Sequence, residues 1–126
     1  MERKIAKKKF KILMVCLGNI CRSPMAQGAM EFMAKKNSLS LIVDSAGTQN
    51  WHFNKSPDQR AQNVATSKGW KISYQKARQI LSSDFNNFDL IIGMDKSIEN
   101  IAAEDLSNPK KRAPVIVTPV SYTHLR

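Results

Sequence analysis

The sequence predicts an α/β protein in which a parallel sheet is covered by helices. Three observations carry that expectation. Short apolar runs alternate along the chain with segments of helical spacing. Two of those runs hold consecutive rather than alternating apolar residues, Ile12 to Val15 and Leu90 to Ile92, as strands buried on both faces do. A stretch containing Gly18 and Asn19 then joins the first run directly to a helical segment, at the sheet end where such folds place ligands.

The elements follow in order. Residues 10–15 read as strand one. Ser23 caps a helix, with Pro24 just inside it, where its missing N–H costs nothing. Met25, Ala26, Ala29, Met30 and Met33 recur at helical spacing to about Lys36. Residues 41–43 form strand two, and residues 45–58 a polar loop rich in Gly, Asn, Ser and Pro. A helix over residues 58–68 is stopped by Gly69. Residues 73–81 read as a short helical turn, 88–94 as strand three, 97–106 as a helix and 113–117 as strand four. No repeat, low-complexity tract or linker interrupts this order.

The chain has 126 residues, enough for one domain with its own core. No apolar run approaches the roughly 20 residues a membrane span needs. No signal-peptide core follows the basic start, so a cytoplasmic location is expected. The only cysteines, Cys16 and Cys21, share one loop, which excludes a disulfide framework, and no His or Cys cluster offers a zinc site. The formal net charge is +10, and +5 without residues 1–11, where Arg3, Lys4, Lys7, Lys8, Lys9 and Lys11 face only Glu2. The basic body fits an anionic ligand. Nucleic acid is not expected: aromatics are few and no reader motif occurs.

The chemistry concentrates between Cys16 and Pro24. A glycine-containing turn at a helix N-terminus aims several N–H groups at one point, which suits a tetrahedral oxyanion. Arg22 adds a fork able to grip two oxygens. Such a cradle favours the thiolate of a cysteine at its floor, and a thiolate facing a bound phosphoryl group is placed to attack phosphorus. Ser23 is placed to hydrogen-bond the sulfur and ease its departure. Asn19 suits an irregular loop, since asparagine bridges backbone groups and tolerates positive φ. Taken alone, Cys16 would be a small buried hydrophobe, Arg22 a surface residue and Ser23-Pro24 a helix start; together they form a site. Cys21 is either packing or a second thiol.

These residues resemble the low-molecular-weight protein tyrosine phosphatases. VCLGNICRSPMA matches that family's phosphate loop almost letter for letter. The similarity continues through Asp44-Ser45-Ala46-Gly47-Thr48, Trp51-His52, Ser56-Pro57-Asp58-Gln59-Arg60-Ala61, Ala77-Arg78-Gln79 and Asp84-Phe85 to Met94-Asp95, over roughly residues 9–106. It implies a flavodoxin-like three-layer sandwich with a four-stranded parallel sheet. It implies a cofactor-free, metal-free phosphomonoesterase that hydrolyses phosphotyrosine proteins or small aryl phosphates through a cysteinyl-phosphate, with inorganic phosphate as competitive inhibitor. By match, Cys16 is the nucleophile and Arg22 binds phosphate and stabilises the transition state. The N–H groups of Leu17, Gly18, Asn19, Ile20, Cys21 and Arg22 complete the cradle. Ser23 assists thiolate departure, Asn19 and Ser45 brace the loop, and Trp51 contacts the substrate ring. Cys21 is the partner for a protective disulfide with Cys16.

The sequence also departs from that family. Gln75 stands where a histidine of the bracing network is usual, Gln59 where a proline is, and Ile98 where an asparagine is common. The family's general acid, an aspartate before a proline in the loop after strand four, has no counterpart: the last acidic residue is Asp105. Asp58, Asp89, Asp95 and Asp105 are all out of motif order, Asp95 being expected in a structural role; His52 and His124 are weak substitutes. The expected organisation is therefore a basic arm over residues 1–8, an incomplete phosphatase domain over 9–117 lacking its last helix, and an atypical tail over 118–126. The expected outcome is an intact phosphate site with impaired turnover. Two alternatives remain: a phosphotyrosine-binding module with weak catalysis, and an arsenate reductase of the same fold, for which no cysteine follows Cys21 to relay a disulfide.

Overall fold

Strand β1 (Phe10–Cys16) contributes apolar side chains to both of its faces, so it can only sit inside a sheet covered on both sides. The computed structural model, which describes residues 9–104 and 113–118, places it there. Its neighbours are β2 (Leu41–Gly47) and β3 (Leu90–Gly93), with β4 (Val115–Val117) beyond β3. The order is β2-β1-β3-β4 and every pairing is parallel. Parallel neighbours need crossovers, which are supplied by helices α1 (Arg22–Lys36), α2 (Gln59–Ser67), α3 (Asp84–Asn87) and α4 (Ser97–Glu104). The register sets Cys16 beside Gly47, and Val15 beside both Ala46 and Gly93. Three strand ends thus open on one edge.

The two faces of β1 feed two cores. Ile12, Met14 and Cys16 pack with Val43 and Met94 beneath Ala26 and Met30 of α1. Leu13 and Val15 pack with Ala46, Phe85, Ile91 and Ile98, beneath α3 and α4. Each fully buried aliphatic chain contributes about 1.5–3 kcal/mol, which fixes the height of Cys16 against both layers. A third cluster, Met25, Ala61, Ala65 and Ile72, glues α1 to α2. The result is the three-layer α/β arrangement the sequence predicts. Among the described residues no helix is long and apolar enough to cross a membrane.

Several boundaries move. Helix α1 begins at Arg22 with Cys21 in the cap position and no side-chain cap, so Ser23 is not the cap; its hydroxyl is engaged by Cys16 and Asn19 instead. Strand β2 runs on to Gly47, where polarity predicted a loop from Ser45, because Asp44 and Ser45 spend their side chains on partners in the site. Of residues 73–81 only Ser73 and Tyr74 form a turn, closed by the Gln75 N–H on the Ile72 carbonyl; the rest is extended beside β2, with Gln79 bridging Gly47. The short helix α3 lies in a stretch left unassigned. Strand β3 is shorter than 88–94, and β4 shorter than 113–117. Asp58 caps α2 by accepting from the Arg60 N–H, and Gly69 follows with a φ of 81° that only glycine adopts freely. Ile98 is core, wholly buried. Thr118, the first residue of the expected tail, extends the ladder by donating to the Gly93 carbonyl. The arm over 1–8, residues 105–112 and the rest of the tail, including Asp105 and His124, lie outside the described residues.

Candidate active site

Cys16 ends β1 with its sulfur buried and two groups converging on it. Ser23 Oγ lies 3.0 Å from Sγ, and the Asn19 main-chain N–H donates to Sγ at 3.2 Å. The loop can turn this tightly because Asn19 adopts φ 55°, a left-handed conformation that asparagine tolerates. It is sealed beneath by close backbone approach. A Cβ on Gly47 would come within 2.9 Å of the Leu17 carbonyl and 3.0 Å of the Gly18 carbon, so only glycine fits. Thr48 and Gln49 donate to the carbonyls of Cys16 and Leu17, tying the 48–54 loop to the cradle.

The polar bonds beneath the sulfur have one direction. A main-chain N–H can only donate, and that of Arg78 donates to Asn19 Oδ1 at 2.9 Å. Asn19 must therefore turn its amino group to Ser23 Oγ (2.8 Å) and Ser45 Oγ (3.0 Å). Ser23, already accepting from Asn19, has its own proton left for the sulfur. Ser45 passes its proton to Gln75 Oε1 at 3.3 Å, and Gln75 donates to the Pro24 carbonyl at 3.1 Å. Gln75 thus joins the bracing network at the position where histidine was expected, its amide supplying an acceptor on one side and a donor on the other. All of these side chains but Arg78 are buried, where such bonds are strongest.

Arg22 opens α1 and turns its guanidinium to the end of β3, donating to the Met94 carbonyl and to Asp95, each at 3.3 Å. Asp95 also accepts from the N–H and hydroxyl of Ser97, so it begins α4 and holds Arg22 at once. Cys21 is half-buried against the cluster of Met25, Ala61, Ala65 and Ile72. Burial pushes its thiol up, with the charges of Asp58 and Cys16 acting in the same direction and Arg22 and Arg60 opposing. Trp51 is 61% exposed on the 48–54 loop, with Phe53 beside it at 67%. The ring of His52 packs over Gly18.

Sequence reasoning missed the outer ring of this site. Arg78 grips Asp84 with both nitrogens, at 3.0 and 3.2 Å, and reaches Asp44 at 3.2 Å. Burial works against its charge, but Asp84 and Asp44 outweigh it and raise its proton affinity. No local pattern could reveal this, since the acids lie six residues after Arg78 and 34 before it. Among the described residues no group of three or more His, Cys, Asp or Glu could hold a metal ion.

The model of the family described as low molecular weight phosphotyrosine protein phosphatase matches residues 11–123, further than the motifs alone can be followed. The chain belongs to this family. The family's member from Saccharomyces cerevisiae is 38% identical over 113 residues, 87% of this chain and 65% of its own length. Two solved members share the fold. YfkJ of Bacillus subtilis superposes with a TM-score of 0.78 at 32% identity, covering 87% of this chain and 71% of that one. The protein tyrosine phosphatase of Entamoeba histolytica gives 0.72 at 38% identity, covering 77% and 63%. The chain spans about six-tenths of the length of the curated relatives it matches.

Proposed function

We propose that this chain hydrolyses aryl phosphomonoesters, phosphotyrosine among them, through a cysteinyl-phosphate. The observation that carries this reading is the sulfur of Cys16 at the foot of an N–H-lined turn, with Ser23 donating to it. The Cys16 thiolate attacks phosphorus as the bond to the aryl oxygen breaks, giving a cysteinyl-phosphate and a phenolate. Water then attacks phosphorus, and the thiolate departs, its charge taken up by the Ser23 hydroxyl and the Asn19 N–H. The N–H groups from Leu17 to Arg22 hold the phosphoryl oxygens. The phosphate dianion draws the Arg22 guanidinium into a bidentate grip in competition with Asp95. Trp51 flanks the substrate ring. Inorganic phosphate, as product, competes for the same cradle, and a peroxide, accepting two electrons and two protons to leave as water, closes Cys16 onto Cys21 as a disulfide. Family membership and the names of its relatives support the substrate class.

No carboxylate follows Asp105 within residues 1–126. A polypeptide of these residues is therefore expected to expel phenolates without help, and a positioned general acid is typically worth about 10²–10⁴ in rate. The test is a series of aryl phosphates of decreasing phenol acidity, from p-nitrophenyl to phenyl phosphate. The expected result is a rate that falls steeply along the series, with a phosphorylated Cys16 peptide recovered after acid quench. A flat series would sink the missing-acid argument. Turnover that persists in Cys16→Ser would sink the reading itself.

A further inference from the structure

We propose that Arg78 is a positioning residue of the site: its clamp on Asp84 and Asp44 fixes the main-chain N–H that orients Asn19, and through Asn19 it directs the Ser23 proton to the Cys16 sulfur. The kinetic meaning of this rests on the phosphatase reading; the geometry does not. Residues 75–80 belong to no helix and form only the single bridge of Gln79 with Gly47. Bonds between Gly47 and both Arg78 and Ile80 hold the segment along β2. Sideways, two main-chain bonds join Ala77 to Asn54 and Lys55 on one side, and on the other the guanidinium is anchored to β2 through Asp44 and to the first residue of α3 through Asp84. Asp84 is only 4% exposed and also accepts from the Leu81 N–H at 2.7 Å. Without Arg78 this buried carboxylate loses its counter-charge, and the segment carrying the N–H must rearrange around it.

The consequence reaches the sulfur because the chain of bonds has one direction. If the Arg78 N–H withdraws, Asn19 Oδ1 loses its donor in a buried site, and the carboxamide is free to turn over. A turned amide presents its oxygen to Ser23, which then donates to Asn19 rather than to Cys16. The sulfur then keeps only one of its two donors, the Asn19 N–H. Arg78 never touches a substrate in this account; it acts at two removes, through Asn19 and Ser23.

The test reads the thiol directly, in the full chain, by the rate of Cys16 alkylation with iodoacetamide, resolved from Cys21 by fragment-ion mass spectrometry. Arg78→Met is expected to slow Cys16 alkylation about tenfold, as Ser23→Ala does, because each takes one donor from the sulfur. In the Ser23→Ala background, where no hydroxyl proton remains to be directed, Arg78→Met slows alkylation no further. Arg78→Lys keeps the charge without the fork and falls between. Asp44→Asn removes the half-exposed arm of the clamp, leaves the core untouched, and slows alkylation a few-fold; it decides the matter if Arg78→Met does not fold. Wild-type alkylation in a folded Arg78→Met or in Asp44→Asn overturns the proposal, as does a deficit that adds in full to that of Ser23→Ala, which would mean general loosening of the structure. These outcomes are independent of turnover: failure of the wild-type chain to cleave any aryl phosphate would refute the phosphatase reading and leave this readout intact.

Discussion

Ser23 has one proton and two neighbours that want it placed. Because Asn19 donates to its oxygen, that proton goes to sulfur. On the proposed cysteinyl-phosphate route, Ser23→Ala removes the donor from the departing thiolate and the acceptor from Asn19. A bond to a charged group is worth about 1.5–3 kcal/mol, so breakdown of the cysteinyl-phosphate is expected to slow roughly 10–100-fold. Stopped-flow assays of p-nitrophenyl phosphate should then show a burst of phenolate followed by a slow steady state; slowing without a burst would place Ser23 in the first step instead. Cys21 makes a different prediction. Its folded-state thiol is pushed up by burial, so the native state holds the proton more tightly than the unfolded chain does. The stability this supplies is present below the range where an unfolded thiol titrates, near ~8.5, and is lost as pH rises through and beyond it. Denaturant melts at neutral and alkaline pH should show a steeper alkaline loss for the wild type than for Cys21→Ala. Identical slopes would refute the assignment.

At the scale of elements, the site is held where β2 passes under the loop. Gly47→Ala would drive a methyl into the carbonyls of Leu17 and Gln49. Neither is a flexible side-chain tip, so the loop must lift, at an expected cost of about 1–3 kcal/mol. Thermal melting should show that loss together with weakened phosphate binding; unchanged phosphate affinity would show that the loop tolerates the shift. The same strand explains what could be read from sequence and what could not. Apolar runs declared β1 and β3, because a strand buried on both faces has no polar residues to hide behind. β2 was half lost, since Asp44 and Ser45 look like loop residues until Arg78 and Asn19 are placed against them. Residues 73–81 failed for the converse reason: the segment takes its shape from distant partners, and local propensity carries no trace of them.

For the molecule as a whole, the inner site was legible because Cys16, Asn19, Arg22 and Ser23 occupy eight consecutive positions, whereas its supports come from four separate segments. Those supports impose an order of assembly. The bond from Arg78 to Asn19 spans 59 residues, that from Asn19 to Ser45 spans 26, and that from Gln75 to Pro24 spans 51. Helix α1 and the turn before it can form early from local contacts, but a turn without these three bonds has a free carboxamide and an undirected serine. Closing long loops is the slow part of folding a parallel sheet. Ser23 therefore turns its hydroxyl to the Cys16 sulfur only after the sheet has closed, so a nascent or partly unfolded chain carries that cysteine without its directed donor.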